Sequence, residues 1–184
     1  DKDAHRSRIL SMQEACPKNT GTILYGVSRG AATTFNALSA NQKDYKNIKL
    51  CILEAPFDSI EGVAQTLFNS HRLGSWLYQQ PAIRQRFLGE QHSADRSAQP
   101  RGHVSSFPNN IPTVIISSVK DDVVPHKNTI RLALRVAIKR HEAKALGEKI
   151  APLYFLQLDN ASHVNACAKG AKDPMRYECF IHHL

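Results

Sequence analysis

The segment that decides the fold reads Thr22-Ile23-Leu24-Tyr25-Gly26-Val27-Ser28-Arg29-Gly30. Its apolar first half predicts a strand over Thr22–Val27, and the run from Ser28 to Ala40 predicts a helix. A strand that turns sharply into a helix can hold one serine in a strained conformation with its hydroxyl exposed. We expect glycine two residues to either side of Ser28 because such a turn leaves no room for side chains there. The segment therefore predicts a reactive serine in a strand–turn–helix unit.

Two later strands end in residues that could serve such a serine. Ile111–Ser118 is almost wholly apolar and rich in β-branched residues, which predicts a buried strand, and Asp121 and Asp122 follow it. Leu153–Leu158 predicts another strand, and His163 lies in the loop after it. In an open parallel sheet, sites form at the carboxyl ends of the strands. The serine, an acid and a histidine are therefore expected at one edge of an α/β sheet.

These motifs together resemble the α/β-hydrolase superfamily, and within it the prolyl-oligopeptidase-like branch and related serine hydrolases. They are G-V-S-R-G at 26–30, I-P-T-V-I-I-S-S-V-K-D-D-V-V-P at 111–125, N-A-S-H at 160–163, and I-K-L-C-I-L-E-A-P-F-D-S-I at 48–60. The resemblance covers the chain from about Thr22 to its last residue. It implies a mostly parallel sheet flanked by helices, with a small helical cap, and a triad in the chain order nucleophile, acid, histidine.

The resemblance also implies which residues form the triad. In the family's D-x-x-V-P pattern the acid lies four residues before the proline, which identifies Asp121, and Asp122 is the alternative. Of the nine histidines, His163 has the expected place in a loop after a strand, whereas His126 belongs to the start of the next helix. The predicted triad is Ser28, Asp121 and His163.

Acyl transfer is the chemistry that these three residues would perform. His163 would take the proton of Ser28 as the hydroxyl attacks a carbonyl, and Asp121 would orient the imidazole and stabilise its cation. Water would then hydrolyse the acyl-enzyme by the same route. The oxyanion of the intermediate would be bound by the backbone N–H of Arg29 and by a second donor from a loop after an earlier strand.

That second donor is not found in the sequence. A hydrolase sheet normally has several strands before the nucleophile turn, but here 21 residues precede Thr22, and Asp3 to Ala15 predict one amphipathic helix. The sequence also contains no H-G-G-G-like or H-G-x-G-like oxyanion loop. We therefore expect this chain to lack the first strands of the fold. It would be a piece of a longer protein, or would be completed by another chain, or would have lost part of the fold.

The rest of the chain predicts one domain over residues 1–184, with a helical cap inserted at about 57–108. A polar segment from Gln91 to Pro108 predicts a mobile loop. Apolar residues of the cap would form either a pocket for an acyl chain or an aromatic group, or the cap's own core. The remaining predicted elements are a strand at Ile48–Leu53 and helices at Ile60–Asn69, Ser75–Tyr78, Ala82–Leu88, Lys127–Ala145 and Asp173–Leu184.

The leading interpretation is a serine hydrolase that cleaves a carboxylic ester, thioester or lipid ester. A serine peptidase of the prolyl-oligopeptidase-like type is the alternative among enzymes. A non-catalytic hydrolase-like module that binds a ligand or partner is the alternative from another class, and it is motivated by the missing oxyanion loop. The oligomeric state and the compartment stay open.

The charge balance adds one further pattern. The formal net charge is +8, and Arg131, Arg135 and Lys139 share one face of a predicted helix. This face is either a patch for anionic lipid, nucleic acid or an acidic partner, or a solvated face, and we favour the latter. The apolar residues of the same helix would then contact the core. They are Leu132, Leu134, Val136 and Ile138.

Other sequence patterns exclude further classes. No zinc finger, RNA-binding signature or phosphate loop accompanies the charge, so nucleic acid is not an expected partner. No run approaches the roughly 18 apolar residues of a membrane span. None of the four cysteines forms a C-x-x-C pair, so a zinc site is not expected. The predicted triad chemistry calls for no metal and no cofactor. Cys51 is expected to be a small buried hydrophobe, and a bridge between Cys167 and Cys179 stays open.

Overall fold

The structure is a computed structural model that describes residues 2–15, 21–40, 45, 47–69, 76, 79–82, 99–163 and 174–182. These residues form a four-stranded parallel sheet with helices on both faces. The strands are β1 (Thr22–Val27), β2 (Ile48–Glu54), β3 (Thr113–Ser118) and β4 (Leu153–Leu158). The helices are α1 (Lys2–Ala15), α2 (Arg29–Ala40), α3 (Ile60–Asn69), α4 (Pro100–His103), α5 (His126–Ala145) and α6 (Pro174–His182), and a 3-10 turn spans Val104–Ser106.

The order of the strands in the sheet is the order in the chain, β1-β2-β3-β4. All three pairs are parallel. The last residues of β1 and β2 pair with each other (Val27 with Glu54), as do those of β3 and β4 (Ser118 with Leu158), and Glu54 pairs with Ile116, two residues before the end of β3. Each connection therefore returns across a face of the sheet before the next strand begins. The loops that follow the strands collect at one edge, which is where the predicted site residues lie.

Apolar side chains cover both faces of the sheet, as a parallel sheet requires. On one face, Leu24, Leu53 and Ile115 pack with residues of α1, α2 and α5. The ring of Phe35 in α2 also stacks on that of Phe107, with centroids 4.2 Å apart. On the other face, a second cluster packs against Tyr177 of α6. It contains Ile52, Val114, Ile116, Leu156 and Leu158.

Arg140 is a buried cation at the opposite edge of the sheet, where β3 and β4 begin. Its exposed fraction is 4%. Its guanidinium donates to carbonyl oxygens just before both strands, including those of Ile111 at 2.8 Å and Pro152 at 2.9 Å. Hydrogen bonds to Ala151, Pro108 and the Thr113 hydroxyl bring the total to five. One side chain thus holds the starts of two neighbouring strands together.

Several elements match the sequence predictions closely. The predicted bounds of β1, β4 and α3 are confirmed, and Cys51 is fully buried as expected. β3 begins two residues later than predicted, because Pro112 has no N–H to donate and the Ile111 carbonyl binds Arg140.

The prediction of a mobile loop up to Pro108 is wrong over residues 99–108. These residues form α4 and the 3-10 turn, and Pro100 and Phe107 are buried. The Arg101 N–H donates to the carbonyl oxygen of Asp58 at 3.0 Å, which fixes the segment beside α3. Residues 91–98 lie outside the described residues, as do the predicted runs Ser75–Tyr78 and Ala82–Leu88 apart from residues 76 and 82.

The prediction for the basic helix, now α5, is wrong in part. Leu132 and Val136 are buried, but Leu134 and Ile138 are 56% and 58% exposed. Lys139 is not simply solvated: its ammonium donates to the Phe107 carbonyl, and burial lowers the pKa of Lys139. Cys179 forms no disulfide with any described residue, and Cys167 lies outside the described residues. Within those residues, none of the helices has both the length and the apolar composition needed to span a bilayer.

Candidate active site

Ser28 occupies the turn between β1 and α2, in a backbone conformation that residues other than glycine rarely adopt. Its φ is 52°, in the left-handed region, which typically costs about 1–3 kcal/mol outside glycine. Two backbone hydrogen bonds hold the turn. The Ser28 N–H donates to the carbonyl oxygen of Glu54 in β2 at 2.8 Å, and the Ser28 carbonyl accepts from the Ala32 N–H at 3.1 Å. The strand thus continues up to the serine, and the helix starts directly after it.

The two glycines around Ser28 are not equivalent. A Cβ on Gly26 would lie 2.8 Å from the Cα of Ala31, so this position has no room for a side chain. A Cβ on Gly30 would meet nothing within 4 Å among the described residues. The expectation that the turn requires both glycines is therefore wrong for Gly30. Close packing of α2 against β1 explains the requirement at Gly26.

Asp121 lies in the loop between β3 and α5, with its side chain almost wholly buried. Its Oδ1 accepts the backbone N–H groups of Val123 at 2.9 Å and Val124 at 2.7 Å. These bonds form an aspartate turn that fixes the carboxylate relative to the loop. The alternative acid, Asp122, is exposed.

His163 lies in the loop after β4, and that loop is tied to the loop that carries Asp121. The Ser118 hydroxyl donates to the carbonyl of Ala161, and the Lys120 ammonium donates to Asn160 Oδ1 at 2.8 Å. The Val119 N–H also donates to the Leu158 carbonyl at 2.9 Å. The two loops thus hold each other in position.

The structure brings the three predicted side chains into one hydrogen-bonded chain. His163 Nδ1 lies 2.8 Å from Oδ2 and 3.0 Å from Oδ1 of Asp121, and its Nε2 lies 3.0 Å from Ser28 Oγ. A carboxylate can only accept, so Nδ1 carries the proton and Nε2 is left to accept from the Ser28 hydroxyl. This is the arrangement in which a histidine can act as a base toward a serine.

Arg29 is the first residue of α2. The first N–H groups of a helix have no acceptor within the helix and carry part of its positive dipole. A backbone donor at this position is available to an anion that forms at Ser28, which is the chemistry predicted for it. Its role in an oxyanion hole stays a prediction.

Sequence reasoning missed two polar arrangements near this edge. Ser117 Oγ and His126 Nδ1 lie 2.8 Å apart, and Ser117 is buried. On the opposite face of the sheet, the Tyr25 hydroxyl donates to the buried carboxylate of Glu54, and burial raises the pKa of Tyr25. The signal in the sequence was the polar residues at the ends of β2 and β3, Glu54 and Ser117.

No family model matches the sequence, and no match is found among curated proteins. Similar solved structures include the Pyrococcus horikoshii acylaminoacyl peptidase, with a TM-score of 0.59 and 16% identity over 94% of this chain and 25% of the peptidase. Another is the Paleococcus ferrophilus monoacylglycerol lipase, with a TM-score of 0.61 and 12% identity over 99% of this chain and 74% of the lipase. A third is Zea mays acyl-protein thioesterase 2, with a TM-score of 0.55 and 17% identity over 99% of this chain and 63% of the thioesterase.

The chain has the α/β-hydrolase fold. Its parallel sheet, its helices on both faces and its similarity to these structures agree on that point. The chain spans only about a quarter of the length of the acylaminoacyl peptidase. The α/β-hydrolase fold hosts many chemistries, so the activity has to be argued from the site.

Proposed function

We propose that this chain carries the catalytic residues of a serine hydrolase that cleaves a carboxylic ester, thioester or lipid ester. The observation that supports it is the hydrogen-bonded chain from Ser28 Oγ through His163 to Asp121. Nucleophile, base and orienting acid each lie within hydrogen-bond reach of the next, which is the geometry that activates a serine.

In the proposed reaction, Ser28 Oγ attacks the carbonyl carbon of the ester as its proton passes to His163 Nε2. Asp121 stabilises the imidazolium that forms, because Nδ1 already donates to its carboxylate. The imidazolium then gives its proton to the leaving alcohol or thiol. Water, deprotonated by the same Nε2, attacks the acyl carbon. The bond from that carbon to Ser28 Oγ breaks, Oγ takes the proton back from His163, and the acid is released.

The N–H of Arg29 is proposed as one donor to the oxyanion of the intermediate. A single oxyanion donor can contribute about a hundredfold or more to the rate. The described residues identify no second donor, so a form of the protein that supplies one is expected to be the faster catalyst.

The substrate class rests on the solved structures that share the fold. They include an acyl-protein thioesterase and a monoacylglycerol lipase, whose names describe a thioester and a lipid ester as substrates. An acylaminoacyl peptidase is also among them, so a peptide substrate is the second candidate. A panel of p-nitrophenyl esters measured beside peptide anilides separates the two, and we expect turnover of the esters.

The first test is labelling with a fluorophosphonate, read by intact mass. It is made on this chain and on the longest chain that its gene encodes, each beside the Ser28→Ala variant. We expect one label per chain, and none on Ser28→Ala. Ser117→Ala is the matched control, because Ser117 also has a histidine partner at 2.8 Å but is buried. This variant should be labelled as fast as the unchanged chain.

Each outcome separates the hypotheses. Labelling of the longer chain alone would mean that this chain carries the nucleophile but needs the missing donor. Labelling that persists in Ser28→Ala would contradict the assignment of the nucleophile. Absence of labelling in both chains would favour a non-catalytic binding module.

A further inference from the structure

A polar cavity of about 570 Å³ opens between α3, α4 and α5, apart from the three residues of the proposed triad. Its volume falls in the usual range for sites that hold small ligands. The wall carries more cationic groups than anionic ones. The cationic side chains are Arg101, Lys127, Arg131 and Arg135, and the carboxylates are Asp58 and Glu61.

Arg131 and Asp58 form an ion pair that lines the floor of this cavity. The guanidinium approaches the buried carboxylate with Nε 3.2 Å from Oδ2 and Nη2 3.4 Å from Oδ1. Gly62 of α3 lies directly against this pair: a Cβ there would be 3.1 Å from Arg131 Nη2 and 3.3 Å from Asp58 Oδ1. The missing side chain lets α3 lie close to the pair. Asp58 neutralises Arg131, so the floor itself carries little net charge.

The other cations of the cavity are less well compensated. Arg101 Nη2 lies 3.6 Å from Glu61 Oε2, beyond hydrogen-bond distance, and both side chains are about one third exposed. Lys127 and Arg135 lie one helical turn before and after Arg131, so the three share a stripe of α5. Neither Lys127 nor Arg135 forms an ion pair within the part of the chain that the structure describes. Four cations against two carboxylates leave an excess of two positive charges.

We propose that this cavity binds the phosphate group of a small phosphorylated ligand. A phosphate dianion matches the excess charge, and the planar fork of an arginine can bind two phosphate oxygens at once. Arg135 supplies such a fork at the wall, Lys127 adds a point charge, and the amide of Gln65 offers further donors. A concave wall that mixes cations with two carboxylates suits a compact anion better than a continuous polyanion.

The position of the cavity links it to the edge of the sheet. Asp58 and Ser59 follow the end of β2, and Lys127 lies at the start of α5, directly after the loop that carries Asp121. Binding of phosphate at this edge does not require hydrolysis to occur, because it uses none of the three triad side chains. The inference can therefore be tested by binding alone, independently of the proposed function.

Inorganic pyrophosphate is the probe, titrated into the chain by calorimetry at about 0.15 M salt, where diffuse surface attraction is screened. We expect saturable binding of one equivalent. Arg135→Gln should weaken it about tenfold or more, since charge-assisted hydrogen bonds are lost. Arg135→Lys keeps the charge but not the planar fork, so its affinity for pyrophosphate should lie between those of the unchanged chain and Arg135→Gln.

Lys144→Gln is the matched control, because it removes one exposed positive charge from the last turn of the same helix. It should change the affinity by less than about twofold. Equal weakening by Arg135→Gln and Lys144→Gln would mean diffuse attraction and would overturn the proposal. Absence of saturable binding up to about 10 mM pyrophosphate would overturn it too. Circular dichroism and the melting temperature of each variant verify that it folds.

The source of the phosphate is tested with vesicles of phosphatidylcholine that contain phosphatidic acid. Vesicle binding that pyrophosphate displaces and that Arg135→Gln weakens would identify a lipid phosphate as the ligand of this cavity. Pyrophosphate binding without vesicle binding would identify a soluble ligand. Vesicle binding that Arg135→Gln leaves unchanged, with no binding of pyrophosphate, would overturn the proposal.

Discussion

Replacing Gly26 by alanine tests whether close packing of α2 against β1 sets the position of the serine. The added Cβ would lie 2.8 Å from the Ala31 Cα, 2.8 Å from the Gly30 carbonyl oxygen and 2.9 Å from the Ala31 nitrogen. All three are backbone atoms, so the first turn of α2 has to move. Overpacking of this kind lowers the free energy of unfolding by about 1–3 kcal/mol.

The same shift should disturb the chemistry. Ser28 directly precedes α2, and its Oγ lies 3.0 Å from His163 Nε2. A misplacement of about 1 Å between reacting groups can lower a rate about a hundredfold. Urea unfolding followed by circular dichroism measures the stability of Gly26→Ala. The rate of fluorophosphonate labelling measures the position of the serine.

Gly30→Ala is the matched control, because a Cβ there meets nothing within 4 Å among the described residues. Alanine favours a helix over glycine by up to about 1 kcal/mol, so this variant should be as stable as the unchanged chain or more so. Gly26→Ala with unchanged stability and labelling would refute the packing argument. Equal damage from Gly30→Ala would mean that the turn requires both glycines after all.

Three further predictions concern single side chains. Asp121→Asn should lower the rate of ester hydrolysis about 10⁴-fold while the chain stays folded, because an amide does not hold the required tautomer of His163; an unchanged rate would remove Asp121 from the triad. Arg140→Met should lower the free energy of unfolding in urea by on the order of 3 kcal/mol, because the guanidinium leaves five acceptors behind, whereas the exposed Lys144→Met should change little. Burial raises the pKa of the Cys51 thiol from 9.0 to about 12, so the unfolded chain releases this proton first. The contribution of the protonated Cys51 thiol to the free energy of unfolding is complete below pH 9 and declines toward pH 12 by about 1.4 kcal/mol per pH unit. Urea unfolding of Cys51→Ala across this pH range should lack that decline.

Local sequence patterns predicted most of the strand bounds and the alternation of strands with helices. β1 and β4 are short apolar or β-rich runs with clear ends, and their bounds match. The parallel direction of the strands follows from the helices that alternate with them, and it brings the carboxyl ends of the strands to one edge. The three candidate residues came from the same pattern, because each one follows the end of a strand.

Other features depend on contacts between distant parts of the chain. The segment from residue 99 to 108 is polar in sequence, yet the stacking of Phe107 on Phe35 and the bond from Arg101 to Asp58 order it. Pro100 at the first turn of a helix was the one local sign of α4. The role of Arg140 is also non-local, because a lysine- and arginine-rich helix does not reveal which cation turns inward.

The ties between the loop of Asp121 and the loop of His163 have a consequence for the motions of this edge. Neither loop can move away from the other without breaking the hydrogen bonds from Ser118 to Ala161 and from Lys120 to Asn160. The two loops therefore form one cooperative opening unit rather than two. Native-state hydrogen exchange should give the amide protons of residues 119–124 the same opening free energy, set in part by a loop some forty residues away. The free energy that keeps Asp121 and His163 in contact would then be a property of the pair of loops and not of either loop alone.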